Sequence, residues 1–175
     1  VFALVAILHH GALFLAWRTD GAVRERSLDA ASRLFPATLA LWLLATFATA
    51  RIAPAMPGNF AARPLAWLAS ALFLSGLAVA LVARRAGRDL AAFLGSCAFL
   101  LGLLAATAAA LYPTMIRATT AAPSLTALNS AAGEHSLRMG LLWWPFGFLL
   151  AGLYYVVLFR LHRARAQAAE EGEGY

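Results

Sequence analysis

Two adjacent histidines, His9 and His10, have the most chemical reach of any residues in this chain. They stand inside an apolar run, where an imidazole can serve as an axial ligand to haem iron, as in a membrane b-type cytochrome. Their spacing argues against that use. Neighbours on a helix point about 100° apart, so the two rings cannot both face one site. No further histidine lies within another apolar run. The reading with more weight is a neutral imidazole hydrogen-bonded to a neighbouring helix or a carbonyl. His10 is kept as a candidate haem or quinone contact, together with Trp143 and Trp144, which precede Pro145 near the start of a later run. That aromatic pair also fits an ordinary interfacial helix start, where amphipathic rings favour the headgroup level.

The remaining reactive types point away from catalysis. Cys97 is the one cysteine, so no disulfide or thiolate cluster forms within the chain, and it reads as a small apolar side chain. Hydroxyls such as Thr38, Ser75, Ser96 and Thr107 can bond back to helix carbonyls. Every acid (Asp20, Glu25, Asp29, Asp89, Glu134, Glu170, Glu171, Glu173) falls outside the apolar runs, and no arginine sits centrally in one. Ion-coupled transporters and proton relays place ionisable groups in the membrane despite a cost of about 2.5–3.5 kcal/mol or more apiece. No nucleophile–base pair, phosphate loop or metal-ligand cluster stands out. The sequence therefore assigns this chain no catalytic residue and no metal ligand.

The elements that hold these residues are apolar helices. The chain is 62% hydrophobic and 13% charged, too apolar to cover a water-facing exterior. An all-α integral membrane protein is expected, a bundle of five spans at about 1–17, 34–53, 64–83, 90–111 and 139–159. Pro36 and Pro64 are placed in first turns, where a missing N–H costs least. A polar connector is expected over Arg18–Arg33, a short loop over Pro54–Arg63, a tight basic turn over Arg84–Asp89 and an outer loop over 112–138. The transmembrane domain is taken as 1–165, with a frayed tail over 166–175. The first run is slightly short of the roughly 20 residues that cross a bilayer core. With no initiator Met, basic n-region or cleavage site before it, the chain is expected to be a fragment whose upstream part is missing.

Charge gives orientation rather than nucleic-acid binding. The net charge is +6, but the basic residues are all arginines that flank apolar runs instead of forming one patch. Ten of them, including Arg18, Arg24, Arg84, Arg88 and Arg160, fall on one side; Arg51, Arg63, Arg117 and Arg138 fall on the other. The positive-inside rule puts the C-terminus in the cytoplasm. Small residues four apart, Ala98, Gly102, Ala106 and Ala110, with Gly147 and Ala151 on the last span, offer faces for close helix approach.

An ordered set of short motifs then resembles a known family. Leu111-Tyr112-Pro113-Thr114, Ser124-Leu125-Thr126, Asn129-Ser130-Ala131, Leu137 through Pro145, and Tyr154-Tyr155 before Phe159-Arg160 resemble the last two helices of cytochrome bd quinol oxidase subunit II. Upstream, His10-Gly11-Ala12, Leu15, Arg18-Thr19-Asp20-Gly21 and Arg26 resemble that subunit's fourth helix and its exit, and Phe93-Leu94-Gly95-Ser96 its seventh. The resemblance implies the fourth to eighth helices of an eight-helix subunit. It implies a terminal oxidase of the bacterial inner membrane that oxidises quinol and reduces dioxygen to water. Haems b558, b595 and d would then belong to the partner, subunit I, and this chain would bind no cofactor. Its partners would be subunit I, the lipid bilayer and in some assemblies a small accessory subunit, with no nucleic acid. The competing expectations are a fragment of an unrelated transporter, a haem-binding membrane anchor, or a scaffold unrelated to respiration.

Overall fold

The computed structural model describes residues 1–119 and 123–162; the expected tail over 166–175, with Arg163 and Arg165, lies outside the described residues. The chain divides into two units, one spanning Val1–Leu111 and the other starting at Tyr112.

The first unit opens with α1 (Phe2–Arg18) and α2 (Gly21–Ile52). Thr19 ends α1, its N–H donating to the Leu15 carbonyl at 2.9 Å and its hydroxyl to the same oxygen at 2.7 Å. Gly21 has φ +60°, a left-handed conformation that a side chain disfavours, and the chain reverses there. The polar connector expected over Arg18–Arg33 is corrected: from Gly21 it is helix, continuous with the apolar run after it. Pro36 accordingly sits inside α2 rather than in a first turn.

A short helix, α3 (Ala55–Ala61), occupies the expected loop before α4 (Pro64–Arg85), which carries its proline in the first turn. Between α4 and α5 (Asp89–Leu111) the chain turns through Gly87 at φ +68°. Gly87 N–H donates to the Arg84 carbonyl at 3.1 Å and Arg88 N–H to the Ala83 carbonyl at 2.8 Å. That pair of bonds is a Schellman ending, which satisfies carbonyls the helix leaves over and needs a left-handed residue, usually glycine.

The best-packed part of this unit is the antiparallel α4–α5 pair. The buried residues of α4 are Ala66, Ala69, Phe73, Gly76, Ala80 and Ala83. Those of α5 include Ala92, Gly95, Phe99, Gly102, Ala106 and Ala109. Both sets alternate steps of three and four, the 3.5-residue period of a left-handed helix pair. The expected stripe at steps of four is therefore corrected in part. Gly102, Ala106 and Ala110 are buried, but Ala98 is only half-buried and Gly95 takes the place on the seam. A step of four turns about 400° on an α-helix and drifts about 40° around it each time, so it leaves a straight seam.

The glycines are where the backbones come closest. A methyl at Gly76 would stand 2.7 Å from the Gly95 carbonyl oxygen, and one at Gly102 would stand 2.7 Å from the Ala69 carbonyl oxygen. Around the seam, Ala12, Leu13, Ala31, Ala80, Ala83 and Ala92 form one core cluster and Ala6, Phe73 and Phe99 a second.

The second unit pairs β1 (Thr114–Ile116) with β2 (Leu125–Thr126) in a short antiparallel ladder, followed by α6 (Glu134–Leu161). Thr126 and Asn129 close the ladder. Thr126 N–H donates to Asn129 Oδ1 at 2.7 Å, Asn129 N–H donates to Thr126 Oγ1 at 3.1 Å, and Asn129 Nδ2 donates to the Ser124 carbonyl at 3.0 Å. The motif residues of this loop thus satisfy backbone groups locally. α6 begins five residues before the expected run, so Pro145 falls inside the helix and does not start it.

Candidate functional site

The polar groups within the first unit gather on α1, α2 and α5. His9 and His10 diverge as adjacent helical residues must. His9 is 2% exposed and its ring meets Phe35 of α2 edge-on, with centroids 5.8 Å apart. His10 faces α5, where its Nδ1 lies 2.8 Å from Ser96 Oγ. Ser96 donates its one hydroxyl hydrogen to the Phe93 carbonyl at 2.6 Å, so in the His10–Ser96 bond the ring must be the donor, through Nδ1–H. That leaves Nε2 as the acceptor of the His10 ring.

Phe93 stands at the centre of an aromatic group built mostly by α1. Trp17 stacks on it with centroids 5.4 Å apart and planes 16° apart, and Phe14 and His10 approach within 5.4 and 5.0 Å. His10, Phe14 and Trp17 follow steps of four and three, one face of α1. Thr38, Ser75 and Thr107 return their hydroxyls to carbonyls of their own helices, and Cys97 is half-buried.

Sequence reasoning missed one arrangement, the ion pair of Arg24 with Asp89. Arg24 Nε and Nη2 donate to the two carboxylate oxygens at 2.8 and 3.2 Å. The Asp89 side chain is 4% exposed and that of Arg24 is 29% exposed. Asp89 is thus no turn residue; it is the first residue of α5, buried where a carboxylate is favoured by the helix dipole. The signal was present as opposite charges on the same side of two runs, but the length of helix α2 was needed to bring them together.

Trp143 and Trp144 belong to the second unit. They line a shallow groove of about 390 Å³ on α6 with Gly147, Phe148 and Ala151, and Trp144 contacts Phe148 with centroids 5.4 Å apart. A methyl at Gly147 would meet nothing within 4 Å.

Four of the described helices, α2, α4, α5 and α6, are long and apolar enough to cross a membrane, and α1 is a shorter apolar helix. The molecule is an all-α, multi-pass membrane protein. Compared with known families, the chain belongs to cytochrome bd terminal oxidase subunit II, whose model matches residues 1–162. No curated protein matches it.

The family implies haems in the complex, so the donor set of this chain bears on where they can be held. Among the described residues no three His, Cys, Asp or Glu side chains gather to hold a metal ion. His9 Nδ1 is buried without a hydrogen-bond partner, yet its ring is packed by Phe35. The His10 ring turns instead towards Ser96, so the two imidazoles do not form a pair of axial ligands on facing helices. Among the described residues His9 and His10 thus form no bis-imidazole haem site. Ser96→Ala is expected to lower stability by about 1 kcal/mol, the net worth of a hydrogen bond, read as a fall in thermal midpoint. His10→Ala is expected to leave the haem absorption of the assembly unchanged, and loss of a haem band would make His10 a ligand.

Proposed function

We propose that this chain is the haem-free subunit of a quinol:dioxygen oxidoreductase, packed against a haem-bearing subunit I in the bacterial inner membrane. The observation that carries this reading is the family match over residues 1–162. The polar groups of the first unit suit such a packing role, since Arg24 is paired with Asp89, His10 with Ser96, and the Ser27 and Thr38 hydroxyls with carbonyls of their own helix. In this reading the chain's own work is mechanical. The α4–α5 seam keeps water from passing between those helices, and the aromatic group around Phe93 fixes α1 against α5. The apolar side chains of α6, among them Leu141, Leu142, Phe146, Leu149 and Leu150, are exposed within their own unit and suit a surface facing subunit I or lipid.

The excess of arginine at one end of the helices supports a cytoplasmic C-terminus. The spans of this reading follow α1, the apolar part of α2, and α4, α5 and α6, with residues 112–133 outside.

The test is co-purification. A tagged copy of this chain is expected to bring down a haem-bearing partner, and membranes lacking the chain are expected to lose quinol-dependent oxygen uptake together with the haem bands. A partner that keeps full haem content and turnover without this chain would overturn the proposal.

A further inference from the structure

We propose that the first unit binds an anionic phospholipid at the junction of α1 with the start of α5. A depression of about 470 Å³ opens there, lined by Trp17, Arg88, Asp89, Leu90, Ala91 and Leu94. Its wall is apolar and in part open, with Leu90 46% and Leu94 54% exposed. These two leucines are one helical turn apart and make a track along which an acyl chain can lie. Trp17 closes the side, held by its stack on Phe93, and an indole at a span end favours the boundary between headgroup and chain.

Charge decides which lipid. Arg88 is exposed on the rim, and among the described residues its guanidinium has no ion-pair partner. Arg18 stands over the Trp17 ring, 5.2 Å from its centroid. The one acid in the lining is Asp89, and its carboxylate is already bound by both arms of Arg24, so little of its charge remains to repel a phosphate. An apolar track ending at an arginine, with the acid in its lining paired, matches a lipid phosphate with its chain below, although Asp20 and Glu25 also lie close enough to act on Arg24. Arginine presents a planar fork of donors suited to phosphate oxygens. This site does not depend on which redox partner the subunit has.

The experiment uses the assembly purified from its membrane and placed in phosphatidylcholine nanodiscs with or without a minor share of phosphatidylglycerol. Lipid retained after delipidation is read by native mass spectrometry. Phosphatidylglycerol is expected to be retained over phosphatidylcholine, and Arg88→Gln to weaken that preference about fivefold, the contribution of one arginine to anionic-lipid attraction. Arg88→Lys should keep most of it. Leu94→Trp, which fills the track and leaves the arginine, should lose retention of both lipids at this site. Arg88 and Leu94 are exposed, so both variants are expected to fold, checked by an unchanged thermal midpoint in detergent. Equal retention of the two lipids overturns the proposal, as does an Arg88→Gln variant that binds like the parent. Displacement by inorganic phosphate with Leu94→Trp still binding would show a bare anion site, and a retained quinone in place of the lipid would show a different ligand; either result overturns it.

Discussion

Gly102→Leu is expected to abolish recovery of the folded subunit, and Gly102→Ala to lower its thermal midpoint clearly. At Gly102 even a methyl would come within 2.7 Å of the Ala69 carbonyl oxygen and 2.8 Å of Phe73 Cα. Both are backbone atoms of α4, so no rotamer change makes room and the helices must move apart. Overpacking by single carbons costs about 1–3 kcal/mol where side chains can give, and this contact lies at the upper end or beyond. Once α4 and α5 separate, Ala66 through Ala83 and Ala92 through Ala109 lose their close contacts together, because the seam is one continuous line. Gly95→Ala should behave alike, since its methyl would stand 2.9 Å from the Gly76 carbonyl oxygen. Gly147→Ala on α6 is the control. It meets no neighbour within 4 Å, and alanine is the better helix former by about 1 kcal/mol. Thermal midpoints of the three alanine variants decide the matter, and a Gly102→Ala protein as stable as its parent would refute the seam.

The second large effect is expected at the Arg24–Asp89 pair, and it should be asymmetric. Arg24→Leu removes the bidentate partner of a carboxylate that is 4% exposed, and breaking a buried pair in this way costs about 3 kcal/mol or more. Asp89→Asn removes the charge that is hard to keep buried. It leaves Arg24, already 29% exposed, able to extend its head towards water. That change should cost about 1 kcal/mol, the scale of one ordinary hydrogen bond. The double variant Arg24→Leu/Asp89→Leu is expected to recover much of the loss, because the buried carboxylate is removed together with its arginine. Unfolding midpoints of the singles and the double form a cycle whose coupling energy reports the pair itself. Equal losses in the two singles with no recovery in the double would mean that the pair does not hold α2 to α5.

Much of this architecture could be seen in the sequence, because a continuous apolar run leaves helix as the only way to satisfy the backbone in lipid. The all-α membrane class and the family follow from those runs and from the ordered motifs between Tyr112 and Arg160. What could not be seen was where helices extend beyond their apolar parts. Residues 21–33 look like a connector because they carry charge, yet they contain no helix breaker after Gly21 and simply continue into Leu34. The seam was half legible for a similar reason. In a chain this rich in alanine, stripes of small residues occur at several spacings, and only the partner helix selects the 3.5-residue one. Gly95 was hidden by that ambiguity. The Arg24–Asp89 pair, 65 positions apart, was hidden by distance along the chain.

The reversal at Gly21 has a consequence for what surrounds the molecule. Because α2 turns back at once, its charged first half runs beside the greasy body of α1: Ala31 packs with Ala12 and Leu13, and Phe35 meets His9. Asp29 and Arg33, bonded to each other at 2.8 Å, are on the outward side there, 58% and 79% exposed. At a rise of about 1.5 Å per residue, Arg33 lies about 13 Å along the helix from Arg24. Hydrocarbon at that depth would charge about 2.5–3.5 kcal/mol for each bare ion. Pairing of Asp29 with Arg33 lowers that cost without removing it, so the outward face of this part of α2 suits water or polar polypeptide better than lipid.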